Sequence, residues 1–300
     1  MSSKTHQEYE LFRRDDCWIS VFTAMASPCE IHLVCSKKSE AEPLASLALS
    51  ETRRIEHKYS RYRDDNIVHA LNHARGRAVS IDEETAGLLQ YADQCYRLSE
   101  GLFDITSGVL RKAWTFDGRE AVVDHALIES LQNIVGWSKA TWTGDSLTLQ
   151  PGMEIDFGGI GKEYAVDRVA GLLSSGSDYP LMVNFGGDIR VASPDSRPRT
   201  WTIGIENPQQ ENAPVGQIEL GSGAVATSGD SRRFCWYQGK RLGHILNPLT
   251  GWPVVETPRS VTVIADQCLE AGFLSTLAML HGSDAENFLE AQQVTFHCIR

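Results

Sequence analysis

The sequence predicts an α+β fold, a mixed arrangement of antiparallel-rich sheets with flanking helices. Three features carry that prediction. Short runs of alternating apolar residues occur in both halves of the chain, and blocks of helical spacing lie among them. The two kinds of block do not follow the regular strand-helix rhythm of a parallel α/β protein.

Taken in order, Cys17 to Cys35 suits two strands around the turn-like Ser27-Pro28. Leu44, Leu47, Leu49 and Ile55 then give helical spacing over Glu42 to Tyr59. Helices are predicted from Glu83 to Ser99 and from Asp124 to Val135, because each has acidic residues in or near its first turn and a glycine, Gly101 or Gly136, beyond its end. Ala140 to Thr143 and Ser146 to Leu149 alternate on either side of Gly144-Asp145, a hairpin signal. That hairpin leads into a glycine-rich segment and a helix from about Gly161 to Leu173. Strands follow at Leu181 to Phe185, Ile189 to Ala192, Trp201 to Ile205, Gln217 to Leu220 and Ser260 to Ala265, with helices near Cys268 to Leu280 and Ser283 to Gln292. The polar stretches 193–199 and 207–214 read as surface loops too short to divide the chain. One unit is therefore expected from 17 to 300, behind a polar tail of residues 1–16.

Composition narrows the function classes. With 42% hydrophobic and 22% charged residues, the 300-residue chain has the profile of a globular protein with a sizeable core. A net charge of -11 argues against general affinity for nucleic acid or anionic membranes, both of which demand basic surface, although a local basic pocket is compatible with it. Residues 1–16 contain no apolar h-region and no later run is long and apolar enough to span a bilayer, so a cytoplasmic location is expected. Seven cysteines without a CxxC pair read as reduced, buried thiols, indicating neither zinc nor a disulfide framework.

The most informative stretch runs from Asp156 to Asp167. It sets Gly158, Gly159, Gly161 and Lys162 between a predicted strand and a predicted helix. Glycine lets a backbone approach a ligand closely, and the first N–H groups of a helix carry partial positive charge, so an anionic cofactor is the expected guest. The spacing fits neither a Walker loop nor a dinucleotide fingerprint, since Asp156 and Tyr164 stand where those need glycine or alanine. Four other segments share its small, polar texture: Gly101 to Gly108, Asn184 to Asp188, Ala226 to Asp230 and His244 to Gly251. Each alone reads as a turn. Together they supply glycines, hydroxyls, carboxylates and one histidine, which is what a nucleotide site built on loops requires.

These residues resemble the ApbE family of FAD:protein FMN transferases. The likeness runs in order through the Met25 region, Ser60 to Asn66 with Leu71-Asn72, Gly101 to Gly108, Asp156 to Asp167, Asn184 to Asp188, Thr227 to Asp230, His244 to Gly251 and Ser260 to Thr276. The resemblance implies an FAD cleft lined by loops. It also implies a reaction in which FAD is cut at its pyrophosphate, AMP leaves, and FMN is joined by a phosphoester to a threonine or serine of a target flavoprotein, ordinarily with magnesium. It implies FAD-binding positions at Met25, Tyr62, Leu102, Phe103, Asp104, Asp156, Lys162 and Leu246. Read as chemistry, Met25 and Tyr62 suit ring faces, Lys162 suits phosphate, and Asp156 suits an adenine amino group or a ribose hydroxyl. Thr227 and Ser228 are candidate donors to phosphate oxygens. His244 is the candidate base, because an imidazole titrating near neutrality can take the acceptor hydroxyl's proton. The structural alternatives are a core methionine, a half-buried tyrosine, a helix-capping aspartate and a histidine hydrogen-bonded at a turn.

The chain departs from the family pattern around the metal. The resemblance implies a cation held by a main-chain oxygen, here at Gly159, and by an aspartate and a threonine on a later helix. This chain reads Ala271-Gly272-Phe273-Leu274-Ser275-Thr276, so Gly272 replaces the aspartate and only the Ser275 and Thr276 hydroxyls remain. Asp266 and Glu270 are the nearby carboxylates in sequence, and placing an aspartate at 272 is expected to strengthen magnesium binding. Asn247 stands where the family motif has aspartate, and Glu163 where glycine is usual. Three functional expectations follow: FMN transfer, an FAD-binding homologue with an impaired metal site, or hydrolysis of FAD to FMN and AMP.

Overall fold

A computed structural model of the chain describes residues 9–208, 210, 213–231 and 233–300. The first half contains β1 (Glu10–Arg14), β2 (Cys17–Ala24), β3 (Ser27–Leu33), α1 (Lys38–Tyr59), α2 (Ile67–Asn72), β4 (Val79–Ser80), α3 (Glu83–Leu98), α4 (His125–Gln132), β5 (Thr141–Trp142) and β6 (Ser146–Thr148). The second half contains α5 (Gly161–Gly176), β7 (Leu181–Phe185), β8 (Asp188–Ala192), β9 (Trp201–Ile205), β10 (Gly216–Leu220), β11 (Gly223–Gly229), β12 (Phe234–Tyr237), β13 (Lys240–Gly243), β14 (Ser260–Ala265), α6 (Cys268–Leu280), α7 (Ala285–Ala291) and β15 (Thr295–Ile299).

Eight strands form one sheet in the order β1-β2-β3-β7-β8-β11-β14-β15. Every neighbouring pair is antiparallel. The period of two along each strand sorts side chains to the two faces. Phe22, Ala24, Leu181, Val183, Phe185, Ala224, Ala226, Val261 and Val263 pack beneath the helices in the main core. Ile19, Ile189, Val191 and Val225 turn to the other face and pack against Trp201 and Ile203 of the β9–β10 hairpin. The fold is thus the expected mixture of helices and antiparallel sheet. No described helix is long and apolar enough to cross a membrane.

Several boundaries differ from the sequence reading. Residues 10–14 lie inside the stretch expected as a tail, yet they pair with β2 as an edge strand; residues 1–8 lie outside the described part. The turn between β2 and β3 falls on Met25-Ala26, ahead of Ser27-Pro28. Both residues take positive φ, 52° and 55°, which suits the twist of a tight hairpin. Most consequentially, Thr227, Ser228 and Gly229 belong to β11, a central strand. Small polar residues there had the composition of a loop, and pairing with β14 overrode it. The seven cysteines are all free thiols; six are buried and Cys298 is half-buried.

α5 crosses the sheet between α1 and α6. Its Asp167 does an unanticipated job. The residue before α6, Gln267, provides no side-chain cap. Asp167 instead accepts from the backbone N–H of Cys268 and of Leu269, both at 2.9 Å, satisfying orphan donors of α6 from a different helix. Arg190 donates to the same carboxylate at 3.2 Å. Asp167→Ala is expected to destabilise the fold by about 2 kcal/mol, the scale of losing a cap with charge-assisted bonds. A shift of less than about 0.5 kcal/mol in a denaturant melt would show that water replaces the carboxylate freely.

Candidate functional site

On the helix side of the sheet lies a cleft of about 630 Å³. It gathers Met25, Tyr62, Leu102, Phe103, Asp104, Asp156, Gly159, Lys162, His244, Leu246 and Thr276, which are far apart in the sequence. Met25 reaches it because the tight turn places it beyond the end of β2, and the Glu56 carboxylate accepts its backbone N–H. Tyr62 is 83% exposed at the mouth, its ring under the Arg61 guanidinium at 4.7 Å, so it is an open ring face and not a half-buried packing residue. Phe103 is buried and packs edge-on against Phe273 at 5.5 Å.

The glycine segment is fixed before it enters the cleft. Asn72 brackets Ile155, donating to its carbonyl at 3.0 Å and accepting its N–H at 2.7 Å, while the Asp156 N–H donates to Ile105. Space here is tight. A Cβ on Gly108 would sit 2.7 Å from the Asp156 Cβ, and one on Gly159 would meet the Phe103 ring at 3.3 Å. The first turn of α5 then opens on the cleft through Gly161 and Lys162. The Lys162 ammonium is bound to Asp188 at 2.8 Å. Burial opposes its charge, but the Asp188 carboxylate more than compensates and holds the ammonium above its ordinary pKa. Asp188 arrives there by the β7–β8 turn, where Gly186 and Gly187 both have positive φ and Asn184 accepts the Gly187 N–H. The Asn184 to Asp188 segment is therefore a hairpin that delivers a carboxylate to Lys162.

Two of the predicted carboxylates are already occupied. Asp104 is buried and accepts from the Thr106 N–H, the Thr106 hydroxyl and the Trp137 N–H, so its oxygens brace its own loop. Asp156 accepts from Arg61 at 2.8 Å and from the Gly158 N–H at 2.9 Å, with Arg111 at 3.7 Å. Arg61, Arg111 and Arg233 line the cleft beside Lys162, together with the carboxylates of Glu56, Asp104 and Asp156. Sequence reading missed these arginines. Arg61 lies inside the Ser60 to Asn66 motif, and Arg233 lies just past Asp230, but neither position had a spacing that marked it.

His244 lies on the wall shared with a second cavity of about 430 Å³, which also includes Arg233. Its Nδ1 is buried without a hydrogen-bond partner. Burial, aided by the Arg233 charge, lowers the imidazole to a pKa of about 4, so the ring is neutral at physiological pH. The ring is thus neutral and keeps one nitrogen that no protein group occupies. Thr227 and Ser228 are parted by the strand period. Thr227 faces the second cavity and bonds Thr262 at 2.9 Å, whereas Ser228 turns to α6 and bonds Ser275 and Thr276 at 2.9 and 3.0 Å. Their hydroxyls therefore lie on opposite faces of the sheet.

The metal candidates divide in the same way. Thr276 and Gly159 line the cleft; Ser275 is fully buried, bonded to Ser228 and donating to the Gly272 carbonyl at 3.1 Å. Asp266 and Glu270 are exposed and lie outside the cleft lining. Glu163, which the sequence marked only as a departure, is buried against Gly272, and its Oε2 has no hydrogen-bond partner. Burial, with Asp188 alongside, pushes its carboxyl well above the ordinary range. A side chain at 272 would therefore require Glu163 to move from its present position. Among the described residues no group of three or more His, Cys, Asp or Glu side chains is arranged to hold a metal, so any cation there relies on hydroxyl and main-chain oxygens as well. Asn247 retains the turn role open to an aspartate: its side-chain oxygen accepts the Leu249 N–H at 2.8 Å.

Comparisons with known proteins agree with this geometry. The ApbE family profile matches residues 25–299. An FAD:protein FMN transferase of Vibrio cholerae is 32% identical over 237 residues, 77% of this chain and 71% of that protein. One from Klebsiella pneumoniae is 30% identical over 260 residues, 84% of this chain and 79% of its own length. The crystal structure of the ApbE protein from Thermotoga maritima superposes with a TM-score of 0.84 at 29% identity, covering 97% of this chain and 94% of that one. The flavin transferase ApbE from Vibrio cholerae gives 0.79 at 27% identity, covering 97% and 93%.

The environment of His244 leads to a measurable consequence. An unfolded histidine takes up a proton below about pH 6.5, whereas this one resists until about 4, so it withdraws stability as pH falls through that interval and contributes none of this loss above it. The His244 ring resonance is expected to titrate near 4 by NMR. A midpoint near 6.5 would mean that the ring is solvated and not held neutral by its surroundings.

Proposed function

Because this chain belongs to the ApbE family, we propose that it is an FAD:protein FMN transferase. One observation supports the reading above the rest: a single cleft combines ring-sized apolar faces, several cations, a helix N-terminus and a neutral histidine on its wall. In this reading Met25, Tyr62, Leu102, Phe103 and Leu246 hold the ring systems, and Lys162, Arg61, Arg111 and Arg233 meet the diphosphate. For Lys162 to do so it must share its charge with Asp188. Asp156 competes for Arg61 with any bound phosphate, so it serves here to aim that guanidinium or to accept from a ribose hydroxyl.

His244 takes the proton of a threonine or serine hydroxyl on the target flavoprotein. The hydroxyl oxygen then forms a bond to the phosphorus of the FMN half, the bridging P–O bond breaks, and AMP departs with the electron pair. The cations and the first turn of α5 stabilise the charge that builds on the phosphoryl oxygens. Magnesium, when bound, would withdraw charge from the diphosphate, with the Gly159 carbonyl and the Thr276 hydroxyl as two of its oxygen ligands. The second cavity, lined in part by His244 and Thr227, supports transfer over hydrolysis, because it leaves space for an acceptor segment beside the base.

Incubation with FAD, magnesium and a peptide carrying an acceptor threonine is expected to yield a peptide heavier by the mass of FMN less one water, with stoichiometric AMP. His244→Ala should lower the transfer rate by about 10²-fold or more while leaving FAD bound. Bound FAD with no adduct at several divalent metals would instead identify a flavin-binding homologue. AMP released without any acceptor would identify a hydrolase.

A further inference from the structure

We propose that Glu163, from the first turn of α5, supplies the carboxylate of a divalent-cation site whose hydroxyl ligand is Thr276 on α6. The inference rests on the transferase reading and assigns that site's missing charge to a specific residue. It begins with a steric fact. A Cβ added to Gly272 would lie 2.6 Å from the Glu163 Cγ, 3.1 Å from its Cδ and 3.2 Å from its Oε1. The Glu163 side chain therefore occupies the volume into which a side chain at 272 would project, and only glycine at 272 admits it. The two positions form one spatial slot filled from α5.

That slot has cation chemistry. Gly272, Ser275 and Thr276 are spaced i, i+3, i+4 along α6 and so share a face, and the Thr276 hydroxyl lies one turn beyond the slot on the cleft lining. Glu163 is more than nine-tenths buried, and its Oε2 has no protein partner, which is uncommon for a buried carboxylate. The charged groups facing it are Asp188 and Lys162. Lys162 is already paired with Asp188, so it is not free to serve as the counter-ion of Glu163. A hard cation answers the unpartnered oxygen, and carboxylate, hydroxyl and carbonyl oxygens are the ligands it prefers. The Gly159 carbonyl, on the turn preceding α5, is the third candidate ligand.

The competing account is that Glu163 is a neutral acid beside Asp188, with no role toward a metal. Glutamine mimics that neutral acid, so substitution separates the two. Mn²⁺ binding to the FAD-loaded protein, followed by electron paramagnetic resonance, is expected to weaken by about tenfold or more in Glu163→Gln, since loss of even outer-shell partners costs that much. The exchange Glu163→Gly with Gly272→Asp should restore it, because the carboxylate then enters the same slot from α6. Gly272→Ala alone should lower the melting temperature through the clash with Glu163, and Glu163→Gly in that background should recover it. Unchanged Mn²⁺ affinity in Glu163→Gln, or a folded exchange variant that fails to bind, overturns the assignment. If FMN transfer persists in that case, the transferase reading stands without it; failure of the unmodified protein to bind FAD would remove that reading instead.

Discussion

The seating of α5 between α1 and α6 on the sheet is the constraint from which the site follows. Its first turn forms the floor of the cleft, where glycines allow the backbone to pass under Phe103. Lys162 is held to the β8 end of the sheet through Asp188, and about one and a half turns further on Asp167 caps α6. Glu163, between them, fixes how closely α6 can approach and which residue α6 presents at 272. Small rotations of α5 would therefore move the phosphate-binding turn, the lysine and the α6 hydroxyls together. Rigid elements of this kind are what allow a site to be held within a fraction of an ångström.

The cleft gathers four cations in a molecule that is acidic overall. The chain carries a net charge of -11, yet Arg61, Arg111, Lys162 and Arg233 converge on one hollow. Most of these cations are paired with carboxylates, so a diphosphate would exchange partners with Asp156 and Asp188 and not meet bare charge. Such pre-paired cations keep their position without ligand, at the cost of competition when the ligand arrives. His244 obeys a different rule: burial beside a cation keeps it neutral, the state a base needs.

Much of this was legible in the sequence. The glycine segment announced a close backbone approach after Ile155, most helices and strands were marked by period and caps, and the motif around His244 marked a residue that lines the cleft. What was misread has common physical causes. Thr227 and Ser228 have turn-like chemistry, but cross-strand pairing places them in the sheet and sends them to opposite faces. The bracing of Asp104 by the Thr106 and Trp137 N–H groups, and the acceptance of the Leu249 N–H by Asn247, had no signal of their own in the sequence. The cleft arginines had no periodic signature, since a long side chain reaches a site from many backbone positions.

Local physics along the chain determined the element types, the cleft-forming loops and the kind of ligand they suit, because periodicity, capping and glycine placement act over a few residues. Only the tertiary structure decided that Glu163 fills the space beside Gly272, that Asp167 caps a helix it does not precede, and that His244 stands between two cavities. Those facts depend on segments distant in sequence meeting across a packed core. Such a meeting is settled by volume exclusion and buried charge, which no short window of residues encodes.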